Sequence, residues 1–135
     1  MQNPLKALSV RLPGKRAGQR STVLIILSHA PFDGDTTWNA LRLAGTLADH
    51  RTPVRIFVMN DAIDLVRKGS MPEGTEFDLQ AMLRDLLPKG VRIKICTTCI
   101  VRCGIGDGEV IPEAIKSTMA DLAAWVEESD RVVVF

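Results

Sequence analysis

The sequence predicts an α/β protein, a three-layer α/β/α arrangement around a mostly parallel sheet of about five strands. Three observations lead there. Short, continuous apolar runs such as Val23–Leu27 (VLIIL) and Val132–Phe135 have the length and composition of strands buried on both faces. Segments of helical spacing lie between the strand-like runs. Strand and helix alternate along the chain, which argues for parallel strands joined by crossovers that cover both sheet faces.

Each element has a local reason. The first strand ends in a loop of turn residues, Ser28 to Asp35, where Asp35, Thr36 or Thr37 can cap the next helix. Trp38, Leu41, Ala44, Leu47 and Ala48 then keep helical spacing to Asp49, and Thr52-Pro53 breaks the chain before a second strand over Val54 to Met59. Asn60 or Asp61 can cap a short helix through Arg67, which Gly69 stops. A loop over 70–75 leads to a helix from about Glu76 to Leu87, closed by Pro88-Lys89-Gly90. Val91, Ile93 and Ile95 alternate with Arg92 and Lys94, predicting a third strand with one less buried face. The segment Thr97 to Cys103 reads as a short helix, and Gly104 to Gly108 as a loop. A short strand is expected around Ala114 to Lys116. Ser117 or Thr118 can cap a helix through Glu127, with Met119, Leu122, Ala123 and Val126 inward, before a last strand over Arg131 to Phe135.

A chain of 135 residues, 46% hydrophobic and 24% charged, has the size and usage of one globular domain. No apolar run is long enough to span a membrane, and the basic start lacks the apolar stretch of a secretory signal, so the expected compartment is the cytoplasm. The formal net charge is +1 but uneven: residues 1–20 carry Lys6, Arg11, Lys15, Arg16 and Arg20 with no acid, leaving 12 basic and 16 acidic residues beyond them. The expected organisation is a flexible basic arm over 1–20 and one domain over 21–135. An RNA-binding role for the arm is disfavoured, since no aromatic side chains are interleaved with its charges.

All three cysteines, Cys96, Cys99 and Cys103, fall within eight residues. An odd, clustered set makes a poor disulfide framework and reads as chemistry or as small buried hydrophobes. Cys96 is expected where a strand becomes a helix, at the carboxyl edge where open α/β sheets place their sites. A free thiol is only about 3% ionised at pH 7, and unpaired N–H groups at a helix start favour the thiolate. Lowering its pKa by ~1.5 units corresponds to roughly 2 kcal/mol and would ionise about half of it. Thr97 and Thr98 supply such N–H groups, and Arg102 would add to the field if it folds back. The i, i+3, i+7 spacing places the three thiols along one helical face, with Cys103 two turns in and buried. Cys99 could then exchange sulfur or form a disulfide with Cys96. His29 is a candidate acid/base beside Cys96 or a loop cap, and with the three thiols it would complete a Cys₃His zinc set. An iron–sulfur cluster lacks a fourth cysteine. No nucleotide-binding glycine motif is present.

The segment VRIKICTTCIVRCGI, with Cys96, Arg102, Gly104 and Ile105, resembles the strand, cysteine and short helix of the DsrE/DsrF-like (TusD-like) sulfur-relay family. The ending SDRVVVF and the opening strand with its Pro-containing loop and Trp38 helix are similar too, so the resemblance covers about 21–135. It implies a sulfurtransferase or sulfur carrier that holds a persulfide on Cys96, with Cys99 as a second thiol and neither cofactor nor metal. It also implies protein sulfur donors and acceptors, and assembly into homo-oligomers, trimer or hexamer, or hetero-oligomers of related subunits. The alternative is an oligomeric, non-enzymatic module whose thiols bind zinc or sense redox state.

Overall fold

A computed structural model describes residues 20–135. The basic arm predicted over 1–20 therefore lies outside the described residues except for Arg20, whose guanidinium donates to the carbonyls of His50 and Arg51 at 2.9 and 3.2 Å. Five strands, β1 (Val23–Leu27), β2 (Val54–Val58), β3 (Arg92–Cys96), β4 (Ile115–Ser117) and β5 (Arg131–Val134), form one sheet in the order β4-β3-β2-β1-β5. Every pairing is parallel. The helices are α1 (Thr36–Asp49), α2 (Leu79–Arg84), α3 (Thr97–Arg102) and α4 (Met119–Glu128).

The strand order explains the layers. From β1 to β4 each connection steps one strand in the same direction. Right-handed crossovers therefore put α1, α2 and α3 on one face. The last connection runs back from β4 to the opposite edge, so α4 covers the other face. Burial agrees with this division. Val23, Ile25, Leu27, Ile56, Val58, Ile93 and Ile95 pack with Ala40, Leu41, Ala44, Leu83 and Ile100 from the first three helices. The second face has a smaller core of Leu24, Phe57 and Cys96 under Leu122 and Trp125 of α4. The predicted three-layer α/β/α fold is the one observed, with a wholly parallel sheet.

Several elements differ from expectation, each for a local reason. The segment predicted as a helix through Arg67 is a 3-10 turn over Asn60–Leu65, and Arg67 instead bridges to Val110. The helix expected from Glu76 starts at Leu79, where the Asp78 carboxylate accepts the Ala81 N–H at 2.9 Å. Phe77 therefore remains in the preceding loop, stacked on Trp38 with centroids 4.9 Å apart. The inward side of α4 is Leu122 and Trp125; Met119, Ala123 and Val126 face outward. One helix must cover this face alone, and it does so with its largest side chain. Lys94 and Arg55 of the sheet lie 4.4 and 5.5 Å from the Trp125 ring centroid, their charges over its face. Arg55 also pairs with Glu128 at 2.8 Å. The Trp125 contact accounts for Lys94 among the alternating residues of β3. Among the described residues no helix is long and apolar enough to cross a membrane.

Candidate functional site

The β3–α3 junction is set by its own residues. Cys96 is both the last residue of β3 and the N-cap of α3, with extended backbone (φ −71°, ψ 111°). Its Sγ accepts the backbone N–H of Cys99 at 3.3 Å, so sulfur fills the role that a Ser or Asp oxygen usually plays at a helix start. The helix lasts six residues and stops at a left-handed glycine, Gly104 (φ 68°). Gly104 N–H donates to Val101 O and Ile105 N–H to Ile100 O, both at 3.1 Å, a paired closure that satisfies the last carbonyls. Ile100 and Ile105 are buried together in the first core. The Arg102-Cys103-Gly104-Ile105 ending thus has a physical meaning: glycine for the backbone, isoleucine for the anchor.

Topology places the junction at the switch point. Helices leave β3 and β4 toward opposite faces, and the crevice between such strands is where open α/β sheets hold ligands. Cys96 is in register with Ser117, the last residue of β4, and Thr118 caps α4 immediately afterwards. On its other side, β2 ends near the same helix: the backbone N–H of Asn60 points at Cys99 Sγ, 3.4 Å away. Asn60 is left-handed, with φ 52°.

The predicted site residues separate into three groups. Cys96 and Cys99 lie one turn apart and are joined through the Cys99 N–H. Cys96 is 5% exposed and shares the second core with Leu24, Phe57, Leu122 and Trp125, whereas Cys99 is half-buried and packs against both cores. Burial and the contact with Cys96 raise the Cys99 thiol above its ordinary pKa, and the Asn60 N–H and Arg102 oppose that rise. Thr97, half-buried, and Thr98, exposed, form the first turn of α3, and Arg102 is exposed in its last turn. His29 caps its own loop, with Nε2 2.9 Å from the carbonyl of Asp33 and 3.5 Å from its carboxylate.

Cys103 departs from the expectation of burial. It is the C-cap of α3 and is exposed, because the helix ends before a second full turn can carry it back to the core. The Cys₃His set is not assembled: among the described residues no group of three or more His, Cys, Asp or Glu is disposed to hold a metal ion. Two neighbours of the thiols, Asn60 and Ser117, were not candidates from the sequence. An Asn just after a strand signals a left-handed residue, which is the one cue that could have singled out Asn60. The position of Ser117 follows only from strand order.

Fold and junction together define a small parallel α/β domain built around a thiol at a strand's carboxyl end. Comparison with known proteins makes the assignment specific: residues 21–135 match the DsrE/DsrF-like family, and the chain belongs to it. Protein YchN of Escherichia coli (strain K12) is 31% identical over 115 residues, covering 84% of this chain and 97% of its own. An uncharacterized protein of Methanopyrus kandleri, MK0008, is 31% identical over 113 residues, covering 84% and 93%. The crystal structure of the E. coli YchN protein superposes with a TM-score of 0.78, covering 85% of this chain and 99% of that one. Protein MTH1491 from Methanobacterium thermoautotrophicum, a structure of unknown function, shares the fold at a TM-score of 0.63 and 14% identity. Membership points to sulfur relay at the level of the family.

Proposed function

We propose that the protein is a sulfurtransferase or sulfur carrier that holds sulfane sulfur as a persulfide on Cys96 and exchanges it with partner thiols, Cys99 serving as the second thiol. The observation that carries this reading is the position of Cys96 Sγ at the helix N-cap, where it accepts a backbone N–H at the switch point of the sheet. That N–H holds the sulfur in place at the capping position. The small exposure of Cys96 suits a store, since a persulfide shielded from water survives longer between transfers. Cys99, half-buried beside it, supplies the route outward.

Partners follow from the same chemistry. A persulfide is useful only if it arrives from one protein cysteine and leaves to another, so donor and acceptor proteins are part of the proposal. Exposed apolar side chains on the second face, Val126 of α4 with Val132 and Val134 of the edge strand β5, support assembly with further copies or related subunits. The proposed setting is the cytoplasm, where thiols are kept reduced.

The test is to incubate the protein with inorganic polysulfide, digest with trypsin under non-reducing conditions and locate the added sulfur. Cleavage after Lys94 and Arg102 isolates Cys96 and Cys99 in one peptide and leaves Cys103 in the next. A gain of one sulfur atom on the peptide holding Cys96 is expected. Sulfur on Cys103 alone, or on no cysteine, would overturn the proposal.

A further inference from the structure

We infer that sulfur enters through Cys99 and is passed inward to Cys96, and that the left-handed backbone of Asn60 positions Cys99 for this entry. The inference rests on the persulfide reading above and assigns an order to its two thiols. Cys96 has Leu122 and Trp125 over one side and the turn of α3 over its end, and is 5% exposed. A cysteine persulfide carried by another protein must bring its terminal sulfur into line with the attacking thiolate, and that approach is blocked at Cys96. Cys99 stands at the boundary of the two cores, one turn further along and half-buried.

Backbone N–H groups link the route. Asn60 N–H donates to Cys99 Sγ at 3.4 Å, and Cys99 N–H donates to Cys96 Sγ at 3.3 Å. The Met59 N–H still belongs to the sheet, donating to Leu27 O at 2.9 Å, so the next N–H is the first that β2 can spare. At Asn60 the chain turns into the 3-10 segment with φ 52°, a conformation that Gly and Asn adopt with little strain and that β-branched residues resist.

The chemistry balances without an oxidant or reductant. The Cys99 thiolate attacks the terminal sulfur of a partner's persulfide; the new S–S bond forms as the partner's S–S bond breaks, and the partner leaves as a thiolate. Cys96 then attacks the terminal sulfur now on Cys99, its proton passing to the departing Cys99 sulfur. Cys96 ends as the persulfide and Cys99 as a thiol. Burial raises the Cys99 pKa and so limits its thiolate near neutrality, and the entry step should quicken as pH rises.

The experiment measures loading of Cys96 from two donors, a persulfidated rhodanese as the protein-borne probe and inorganic polysulfide as the small one. Cys99→Ser should load from rhodanese at least roughly tenfold more slowly than wild type while still taking polysulfide, and Cys96→Ser should trap sulfur on Cys99. Asn60→Val should slow rhodanese loading and shift its pH profile upward; Asn60→Gly should restore both, which a merely structural role for the side chain would not do. Wild-type loading of Cys99→Ser from rhodanese, or no sulfur on Cys99 in Cys96→Ser, would overturn the inlet role and leave the store intact. Indistinguishable rates for Asn60→Val and wild type would remove the role of Asn60. If the wild-type protein takes sulfur from neither donor, the store and the inlet fall together.

Discussion

Leu122 closes the second face over Cys96, and truncating it to alanine separates shelter from chemistry. Leu122 is buried in the same small cluster as Cys96, but it lies near the start of α4, where the structure can partly relax. The loss should therefore fall in the lower part of the Leu→Ala range, about 2–3 kcal/mol. A domain holding 5–15 kcal/mol stays folded after such a loss, with its Tm lowered by roughly 10 °C. Cys96 reacts when α4 lifts from the sheet, so a destabilisation of about 2 kcal/mol raises that opened population roughly thirtyfold. Pulse labelling with N-ethylmaleimide, read by mass spectrometry, should show Cys96 modified roughly thirtyfold faster in Leu122→Ala. Cys103, already exposed, is the internal control and should not change. Cys96 labelling as fast as that of Cys103 in the wild-type protein, or unchanged in a measurably destabilised Leu122→Ala, would refute the buried store.

Other expectations follow from single observations. Gly104→Ala forces a Cβ onto a left-handed residue and should cost about 1–2 kcal/mol in chemical denaturation, while leaving the Cys96 peptide able to take sulfur. The thiol pKa of Cys99 is raised by burial and by Cys96, so the rate of its alkylation in Cys103→Ser, which keeps Cys96, should still be climbing at pH values where free cysteine has levelled off. At the start of α4 the Asp121 carboxylate accepts the Thr118 N–H at 2.7 Å, which lowers its pKa. A lowered pKa gives stability that is fully present above the unfolded-state value and is lost as pH falls through the folded one. The stability gap between wild type and Asp121→Asn should accordingly be constant near neutrality and close below about pH 4.

Much of the architecture is legible in the residues because it depends on local rules. VLIIL announces a strand buried on both faces, and of the two caps offered for the last helix, Ser117 and Thr118, the structure uses Thr118, with Asp121 closing the cap reciprocally. The loop read from Gly104 onward begins where the left-handed Gly104 ends the helix. What escaped reading depends on the number of layers over each face. Met119 and Val126 have helical spacing suited to an inner side, yet a single helix over the second face turns Leu122 and Trp125 inward and leaves them outside. Cys103 has the right spacing for burial and loses it because α3 ends after six residues. The junction at Cys96 is predictable from apolar alternation running into Thr97-Thr98. Its neighbours Asn60 and Ser117 come from β2 and β4 and meet it only through the strand order.

A loaded carrier must give up its sulfur intact, so the decisive measurement follows discharge. Protein bearing sulfur on Cys96 is freed of donor and mixed with reduced glutathione, and the sulfur on both is followed by mass spectrometry. The account predicts glutathione persulfide appearing one for one as Cys96 returns to a free thiol, with Cys99 also ending as a free thiol. Release of sulfide with a Cys96–Cys99 disulfide left behind, and glutathione bearing no sulfur, would contradict it.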